Sequence, residues 1–495
     1  MICVPIVAPS QERMEREIQF ATPLADILEL RMDYAPDADL AALIEKRRKP
    51  VIVTCRPERE GGQFKGEESA RLAVLQRAID LGADYVDVEL DSAAKLRRGA
   101  RTRIIISRHD FQRVPENLPE LHRELVAAGA DVAKIACMAT GILDNLRVFR
   151  LLQSTKHPTI ALCMGEAGMI SRVLGRKYGA FLTFGSAARG KESAPGQIGA
   201  AQLRDMYRYK QIGRATALYG VIANPVAHSM SPAIHNAAFA ALNIDAVYLP
   251  LKVECDPAEF VRAFRELDAR GYSVTIPHKE GIIPALDELA PLAKRIGAVN
   301  TVVERKGRLH GTNTDVPAAI GALEESLAGG KKAAEALDRS PLSGRRVLLL
   351  GAGGAARAVA HGLIEKGAGV VIANRTHDRA VALAAEVGCR ALEMTALTAS
   401  EADIVVNTTS VGMHPNVHGT PLPKEALRKG MIVFDAVYNP LETRLLREAR
   451  EAGCRTIGGL RWFVSQAALQ FELWTGRPAP RQVMEKVVKQ RLEEK

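Results

Sequence analysis

The stretch RRVLLLGAGGAARAVAHGLIEKG, residues 345–367, holds a strand, a turn and a helix in one run. An apolar β-rich segment leads into Gly351-x-Gly353-Gly354-x-Ala356, and a helical pattern follows. Glycines there let the backbone approach a pyrophosphate, and the helix N-terminus faces the anion. The last small-residue place holds Ala356 instead of glycine. Residues Gly351, Ala352, Gly353, Gly354 and Ala355 are therefore expected to cradle a dinucleotide. About twenty residues on, an acid would hold a ribose 2′-hydroxyl. VVIANRT (370–376) has none; it offers Asn374, Arg375 and Thr376, with Arg379 nearby. These suit a 2′-phosphate, so NADP(H) is expected rather than NAD.

Outward from this unit the same alternation continues. ADIVVNTTSVGM (402–413) and VFDAVYNPLET (433–443) read as later strands with loops facing the nucleotide. In GGLRWFVSQAALQFELWTG (458–476), Phe463, Ala467 and Phe471 repeat as one packed helix face, with Gln466 free to face a cleft. Upstream, LYGVIANPVAHSMSPAIHNAAFAAL (218–242) reads as strand, loop and helix. Ser229 and Ser231 stand before or at its start, either as caps or as donors to a carboxylate. GYSVTIPHK (271–279), GAVNT (297–301) and GTNTD (311–315) supply Lys279, Asn300 and Asp315, a proton donor, a hydrogen-bonder and a carboxylate. ESLAGGKKAAEALDRSPLSG (325–344) reads as a mobile insertion with no assignable role.

The first 200 residues follow a different rule. Eight β-rich runs recur: 2–7, 26–32, 50–55, 85–90, 103–107, 131–137, 158–164 and 180–185. Helical patterns such as 67–82 and 116–129 lie between most of them. Eight strands alternating with helices predict a compact (β/α)8 barrel, with chemistry at the strand C-termini. Charged or imidazole side chains gather there: Glu29 and Arg31, Arg56, Asp87 and Glu89, His109 in SRHDF after the fifth strand, Lys134, and Arg172. GADVAKIACMA (129–139) places Lys134 among apolar or small neighbours. On this segment alone the residue reads either as a strand-end lysine snorkelling to water or as a neutral, nucleophilic amine. An amine, an imidazole and guanidinium forks together suit β-elimination of water from a hydroxy-keto acid.

Composition narrows the field. The 495 residues are 47% hydrophobic, with no apolar run long enough to span a membrane. The net charge of +10 is scattered and aromatics are 5%, so anionic small molecules are expected and nucleic acid is not. Seven cysteines lie far apart without a C-x-x-C pair, and H-E-x-x-H is missing, so neither a disulfide frame nor a metal site is expected. MICVPIVAPSQERMEREI has no basic region ahead of its short apolar run, which argues against a targeting segment and for the cytoplasm.

In order across residues 1–200, ELRMD, TCRPEREGG, SRHDF, VAKIA, GMISR and SAPGQ resemble the motif series of type I 3-dehydroquinate dehydratases. The resemblance implies Lys134 as Schiff-base former, His109 as general acid/base, and Glu60 as its tuning partner. Glu29, Arg31, Arg56, Arg172, Ser193 and Gln197 would hold substrate. Residues 217–490 resemble shikimate dehydrogenases, which implies Lys279 and Asp315 as the catalytic pair. Ser229 and Ser231 would bind the carboxylate, Thr275, Asn300, Tyr438 and Gln466 the ring hydroxyls, and Thr408 and Gly459 would join the cofactor site. Two departures stand out: Ser273 where many bacterial relatives have Asn, and Arg461-Trp462 where an acid and Met are usual. The second puts the nicotinamide end of the site in question. Module order and Ser273 resemble the fused enzyme of plants.

The expected organisation is a barrel over 1–210, a substrate lobe over 217–320, a Rossmann NADP lobe over 340–455, and C-terminal helices over 456–495 returning to the substrate lobe. The expected function is dehydration of 3-dehydroquinate followed by NADPH-dependent reduction to shikimate. The rivals are a catabolic quinate/shikimate enzyme using NAD, and a non-catalytic sensor. Arg375 and Thr376 speak against the first, and retention of Lys134, His109, Lys279 and Asp315 against the second.

Overall fold

The computed structural model describes residues 1–188, 190–328, 339–397 and 401–493. Residues 329–338 of the expected insertion lie outside the described residues. The chain folds into two compact units, Met1–Ala227 with Asp245–Ala269, and His228–Ile244 with Arg270–Lys495.

Eight strands order the first unit: β1 (Ile2–Ile6), β2 (Ile27–Arg31), β3 (Val51–Thr54), β4 (Tyr85–Glu89), β5 (Arg103–Asp110), β6 (Val132–Met138), β7 (Thr159–Met164) and β8 (Thr183–Phe184). The strands pair in parallel in the order β7-β6-β5-β4-β3-β2-β1-β8, with β1 between β2 and β8. Between β7 and β8 the described residues show no ladder, but Phe181 N–H donates to the Thr159 carbonyl at 2.8 Å. The barrel is thus nearly closed. Helices cross over on the outside, among them Glu68–Asp80 and Leu118–Ala127, each shorter than its sequence pattern.

Period two sorts the side chains into layers. Cys3, Ile27, Ile52, Ile105, Val132 and Ile160 form an apolar floor. Two residues further along the same faces come Glu29, Thr54, Asp87, Ser107 and Lys134, all buried. Two more residues bring Arg31, Arg56, Glu89 and His109. The polar layers sit on an apolar floor because in β2 to β6 one face switches from apolar to polar or charged partway along, while the same face of β7 stays apolar through Ile160, Leu162 and Met164. Two expectations change here. His109 lies on β5 itself, since that strand runs to Asp110. The segment AAQLRDMYRYKQIGRATA (200–217), whose sequence reads as a terminal helix followed by a short connector, contains instead a π-helical turn (Gln202–Met206) and a 3₁₀ turn (Tyr209–Gln211). Two more parallel strands belong to this unit, β9 (Ala217–Ala223) and β10 (Ala246–Lys252).

The second unit contains a mixed sheet and a parallel one. In the first, β11 (Ala269–Val274), β13 (Thr301–Arg305) and β14 (Arg308–Thr312) run antiparallel in succession, with β12 (Glu288–Leu289) parallel to β14. The second comprises β15 (Arg346–Leu350), β16 (Gly369–Ala373), β17 (Arg390–Leu392), β18 (Ile404–Asn407), β19 (Ile432–Asp435) and β20 (Arg455–Ile457). Its order is β17-β16-β15-β18-β19-β20 with every pair parallel. That is the doubly wound dinucleotide arrangement, with its ligand crevice where the order reverses, beyond the ends of β15 and β18. Alternation again builds two cores: Val347, Leu349 and Ile372 on one face, Leu348, Leu350 and Val433 on the other.

Candidate active sites

The open end of the barrel is a cleft of about 540 Å³, counted together with its open mouth. Glu29, Arg31, Arg56, Glu60, His109, Lys134, Arg172, Ser193 and Gln197 all line it, so the barrel residues assigned a role from sequence meet here. Contrary to the apolar surroundings expected, Lys134 points into charge. Its Nζ donates to Asp87 Oδ2 at 2.6 Å and lies 3.7 Å from Glu29 Oε1, with the Phe184 ring 4.6 Å away. The apolar neighbours Ala133, Ile135 and Cys137 occupy the alternate, outward positions of the strand. Asp87, given no role by the sequence, also accepts from Arg56 at 2.8 Å and Ser107 at 2.7 Å. Burial alone would raise its pKa, but Arg56 and Lys134 outweigh that and hold it below the usual carboxylate range.

His109 is set up as a base. Glu60 Oε2 receives both the His109 main-chain N–H at 2.8 Å and Nδ1 at 2.9 Å. The ring is thereby fixed with Nε2 free to act. Burial first, then the Arg56 and Lys134 charges, push the His109 pKa well below its ordinary value, so the imidazole is neutral at physiological pH. Burial pushes Glu60 upward. Gly61, with φ +76°, sits in the left-handed region that favours glycine at this turn.

Arg172 differs from the other cleft arginines, Arg31 and Arg56. It is 1% exposed, forms no ion pair among the described residues, and its Nε lacks a partner. Burial lowers its pKa to about 10. Gln197 Nε2 is likewise unpartnered, while its Oε1 accepts from the Ser193 N–H at 2.7 Å. An unmatched buried cation beside an unmatched amide donor fits a ligand carboxylate. Arg31 and Arg56, by contrast, are already committed: Arg31 forks onto Asp33 at 2.7 and 2.9 Å, and Arg56 reaches Asp87 and Glu89.

In the second unit Lys279 Nζ lies 2.6 Å from Asp315 Oδ2, both side chains mostly covered. Asp315 opens the helix Asp315–Leu327. Asn300 is largely spent on structure: its Oδ1 accepts from the Thr314 N–H and the Thr301 hydroxyl, and its Nδ2 donates to Thr314 Oγ1. Ser231 N–H donates to Ser229 Oγ at 3.3 Å at the head of the helix Ser231–Ala241. Thr275 is half-buried just past β11. Tyr438 stacks on Phe463 at 4.6 Å, and Gln466 donates back to the Phe463 carbonyl. Gln470, one turn beyond Gln466, was missed by sequence because it belongs to the packed face. It is buried, accepts from Ser273 at 2.7 Å, and donates to the Asn300 carbonyl at 3.1 Å. The departure Ser273 thus joins this structural network.

The second departure also has a structural reading. Trp462 Nε1 donates to the Asp315 carbonyl at 2.9 Å, and its ring meets Phe434 edge-on. Arg461 pairs with Glu325 at the surface, so its charge is directed to that helix.

The residues at the crevice fit a dinucleotide. Gly351 has φ +116°, and a Cβ there would lie 2.6 Å from Thr408 Oγ1. At Gly353 and Gly354 an added Cβ would meet nothing within 4 Å, leaving open space at the start of the helix Gly354–Glu365. Ala352 belongs to the turn and Ala355 to the first turn of that helix. Gly459 packs against main chain beyond β19, where a Cβ would lie 2.3 Å from the Ala436 carbonyl oxygen. Asn374 Nδ2 braces the Thr376 carbonyl at 2.9 Å, while Arg375 and Arg379 are exposed. Neither arginine forms an ion pair among the described residues.

Comparison with known proteins gives four family matches in chain order. They are type I 3-dehydroquinase over residues 2–214, the shikimate dehydrogenase substrate-binding domain over 221–302, shikimate/quinate 5-dehydrogenase over 331–435, and the shikimate 5'-dehydrogenase C-terminal domain over 459–489. A chloroplastic bifunctional 3-dehydroquinate dehydratase/shikimate dehydrogenase of Arabidopsis thaliana is 44% identical, over 98% of this chain and 83% of its own length. An NADP(+) shikimate dehydrogenase of Bacillus cereus is 45% identical over 56% of this chain and 98% of its own. A crystal structure of a shikimate dehydrogenase in complex with NADP+ matches with TM-score 0.52 at 35% identity, covering 57% of this chain and 97% of that one.

Proposed function

Because the chain belongs to the family of bifunctional 3-dehydroquinate dehydratase/shikimate dehydrogenases, we propose that its two sites catalyse consecutive steps of the shikimate pathway. The barrel converts 3-dehydroquinate to 3-dehydroshikimate and water, and the second unit reduces that product to shikimate with NADPH. The observation that carries the reading is the barrel cleft, where Lys134, the His109–Glu60 pair and the unmatched Arg172 converge.

Arg172, with Ser193 and Gln197, receives the substrate carboxylate; Glu29, Arg31 and Arg56 shape the hydroxyl side. Lys134, once it passes its proton on, adds to the ketone and loses water to give an iminium. That electron sink acidifies the neighbouring C–H. Neutral His109 removes this proton and returns it to the departing hydroxyl, and hydrolysis frees Lys134. In the second site, Ser229 and Ser231 take the carboxylate, and Thr275, Asn300, Tyr438 and Gln466 face the ring. NADPH, when bound, supplies hydride. Lys279 gives a proton to the developing alkoxide while Asp315 holds the ammonium in place. Gly351, Ala352, Gly353, Gly354, Ala355, Thr408 and Gly459 would hold the dinucleotide, and Asn374, Arg375, Thr376 and Arg379 its 2′-phosphate.

The domain limits proposed are 1–210, 217–320, 340–455 and 456–495. A cytoplasmic location is supported by the seven cysteines, all free thiols, which suit a reducing compartment. No helix among the described residues is long and apolar enough to cross a membrane.

Supplying purified protein with 3-dehydroquinate and NADPH tests the sequence of steps: NADPH oxidation should follow without added enzyme. No oxidation with 3-dehydroquinate, but oxidation with 3-dehydroshikimate, would sink the lyase half. Two variants test the binding assignments. Arg172→Ala should raise KM for 3-dehydroquinate by roughly 10–100-fold, the loss of a charge-assisted hydrogen bond. Arg375→Ala should lower the preference for NADPH over NADH by about tenfold on the same grounds. An unchanged preference would remove Arg375 from the 2′-phosphate site, and a wild-type protein that favours NADH over NADPH would return the NAD-using catabolic enzyme to contention.

A further inference from the structure

Arg71 is fully buried, yet it lies on the crossover helix Glu68–Asp80 and outside the cleft. An arginine there is costly unless every part of it is matched. Its Nε and Nη2 fork onto Glu68 at 2.9 and 2.7 Å. Its Nη1 donates to the Cys55 carbonyl at 3.0 Å and sits 2.6 Å from Glu89 Oε2, an ion contact rather than an aligned hydrogen bond. Glu89 in turn meets Arg56 Nη1 at 2.5 Å, Arg56 meets Asp87 at 2.8 Å, and Asp87 meets Lys134 at 2.6 Å. Six charges therefore alternate in sign without a break, from half-exposed Glu68 on the helix to the amine at the barrel centre.

We propose that Arg71 is a positioning residue for the dehydration reaction: by matching Glu89, it leaves Arg56 to share Asp87, and so limits how tightly Asp87 holds the Lys134 proton. The inference rests on the lyase reading above. The groups facing Lys134 are Asp87 from β4, Glu29 from β2, Arg56 beyond β3, His109 from β5 and the Cys3 thiol from β1. From β7 and β8 come Ile160, its partner in register, and the Phe184 ring, neither of which titrates. Among these, Asp87 and Glu29 favour the ammonium, and Arg56 is the nearby cation that opposes them. If Arg71 is neutralised, Glu89 draws more of Arg56 and the surroundings of Lys134 gain one net negative charge. The amine then needs a higher pH to lose its proton.

The test is the pH dependence of kcat/KM for 3-dehydroquinate in the full chain. Arg71→Met keeps an unbranched stem, shorter than arginine and without its charge. Its acidic limb should move to higher pH by about one unit, a roughly tenfold loss on that limb that is recovered at high pH. Arg71→Lys should restore most of the limb. Glu68→Gln, at the exposed end, should move the limb the opposite way, because an unshared Arg71 binds Glu89 more fully. Were Arg71→Met not to fold, Glu68→Gln and Arg71→Lys would still carry the signed comparison. Limbs that coincide with wild type in all folded variants overturn the proposal. A loss that is uniform across pH overturns it as well, since a merely structural arginine would act that way. Borohydride trapping with 3-dehydroquinate separates the two readings. Wild type that traps no adduct overturns the lyase assignment itself, whereas trapping with unmoved limbs overturns only the role of Arg71.

Discussion

Lys134→Ala is expected to abolish dehydration of 3-dehydroquinate while shikimate dehydrogenase activity stays at the wild-type level. No other amine lines the barrel cleft among the described residues, so no second nucleophile can form the iminium. Loss of the covalent route should cost on the order of 10⁴-fold or more in kcat, as removal of an essential nucleophile does elsewhere. The variant should remain folded, because Asp87 keeps Arg56 and Ser107 as partners and is not left as an unmatched buried carboxylate. The check is mass spectrometry of intact protein after borohydride treatment in the presence of 3-dehydroquinate. Wild type should gain a substrate adduct and Lys134→Ala none. An adduct of equal yield in the variant would place the Schiff base on another lysine and leave Lys134 an electrostatic role only.

Asp315→Asn should give the mirror image, with reduction of 3-dehydroshikimate lost by roughly 10²–10⁴-fold in kcat and dehydration untouched, the range of a general acid/base contribution. Asparagine keeps the shape of the residue. The Trp462 indole grips the Asp315 main-chain carbonyl, so the local backbone should hold its place. What disappears is the carboxylate 2.6 Å from Lys279 that orients the ammonium for proton delivery. The effect should fall on kcat more than on KM, since the proposed substrate contacts lie with the serines and the ring-facing residues. A loss seen only in KM would make Asp315 a binding residue and move proton delivery elsewhere. Each half of the chain serves as the folding control for the other.

Much of this architecture is legible in the chain alone. Strand runs with period two and a glycine turn between strand and helix are local patterns, and local patterns follow from backbone geometry. They mark β15, its turn and its helix, and the eight barrel strands to within a few residues at most ends. The differences arise where local signals run out. The sequence puts His109 beyond β5 because Arg108 and Asp110 look like loop residues. In the barrel, Arg108 faces outward while the strand continues to Asp110.

The sequence by itself determined the two kinds of parallel α/β construction and the residue types that line the barrel cleft, and it raised the expectation of a phosphate-bearing dinucleotide. Those are properties of spacing and chemistry along one chain. Only the tertiary structure decided which charges meet. Lys134 is expected among apolar groups because its chain neighbours are apolar. A strand shows those neighbours to the outer face and the lysine to the barrel axis, where Asp87 and Glu29 arrive from other strands. The roles of Asp87, Gln470 and Arg71 carry no local signal for the same reason. Lys134, the Asn300 carbonyl and the Cys55 carbonyl lie respectively 47, 170 and 16 residues from them along the chain, and only closure of the fold brings them within hydrogen-bond reach.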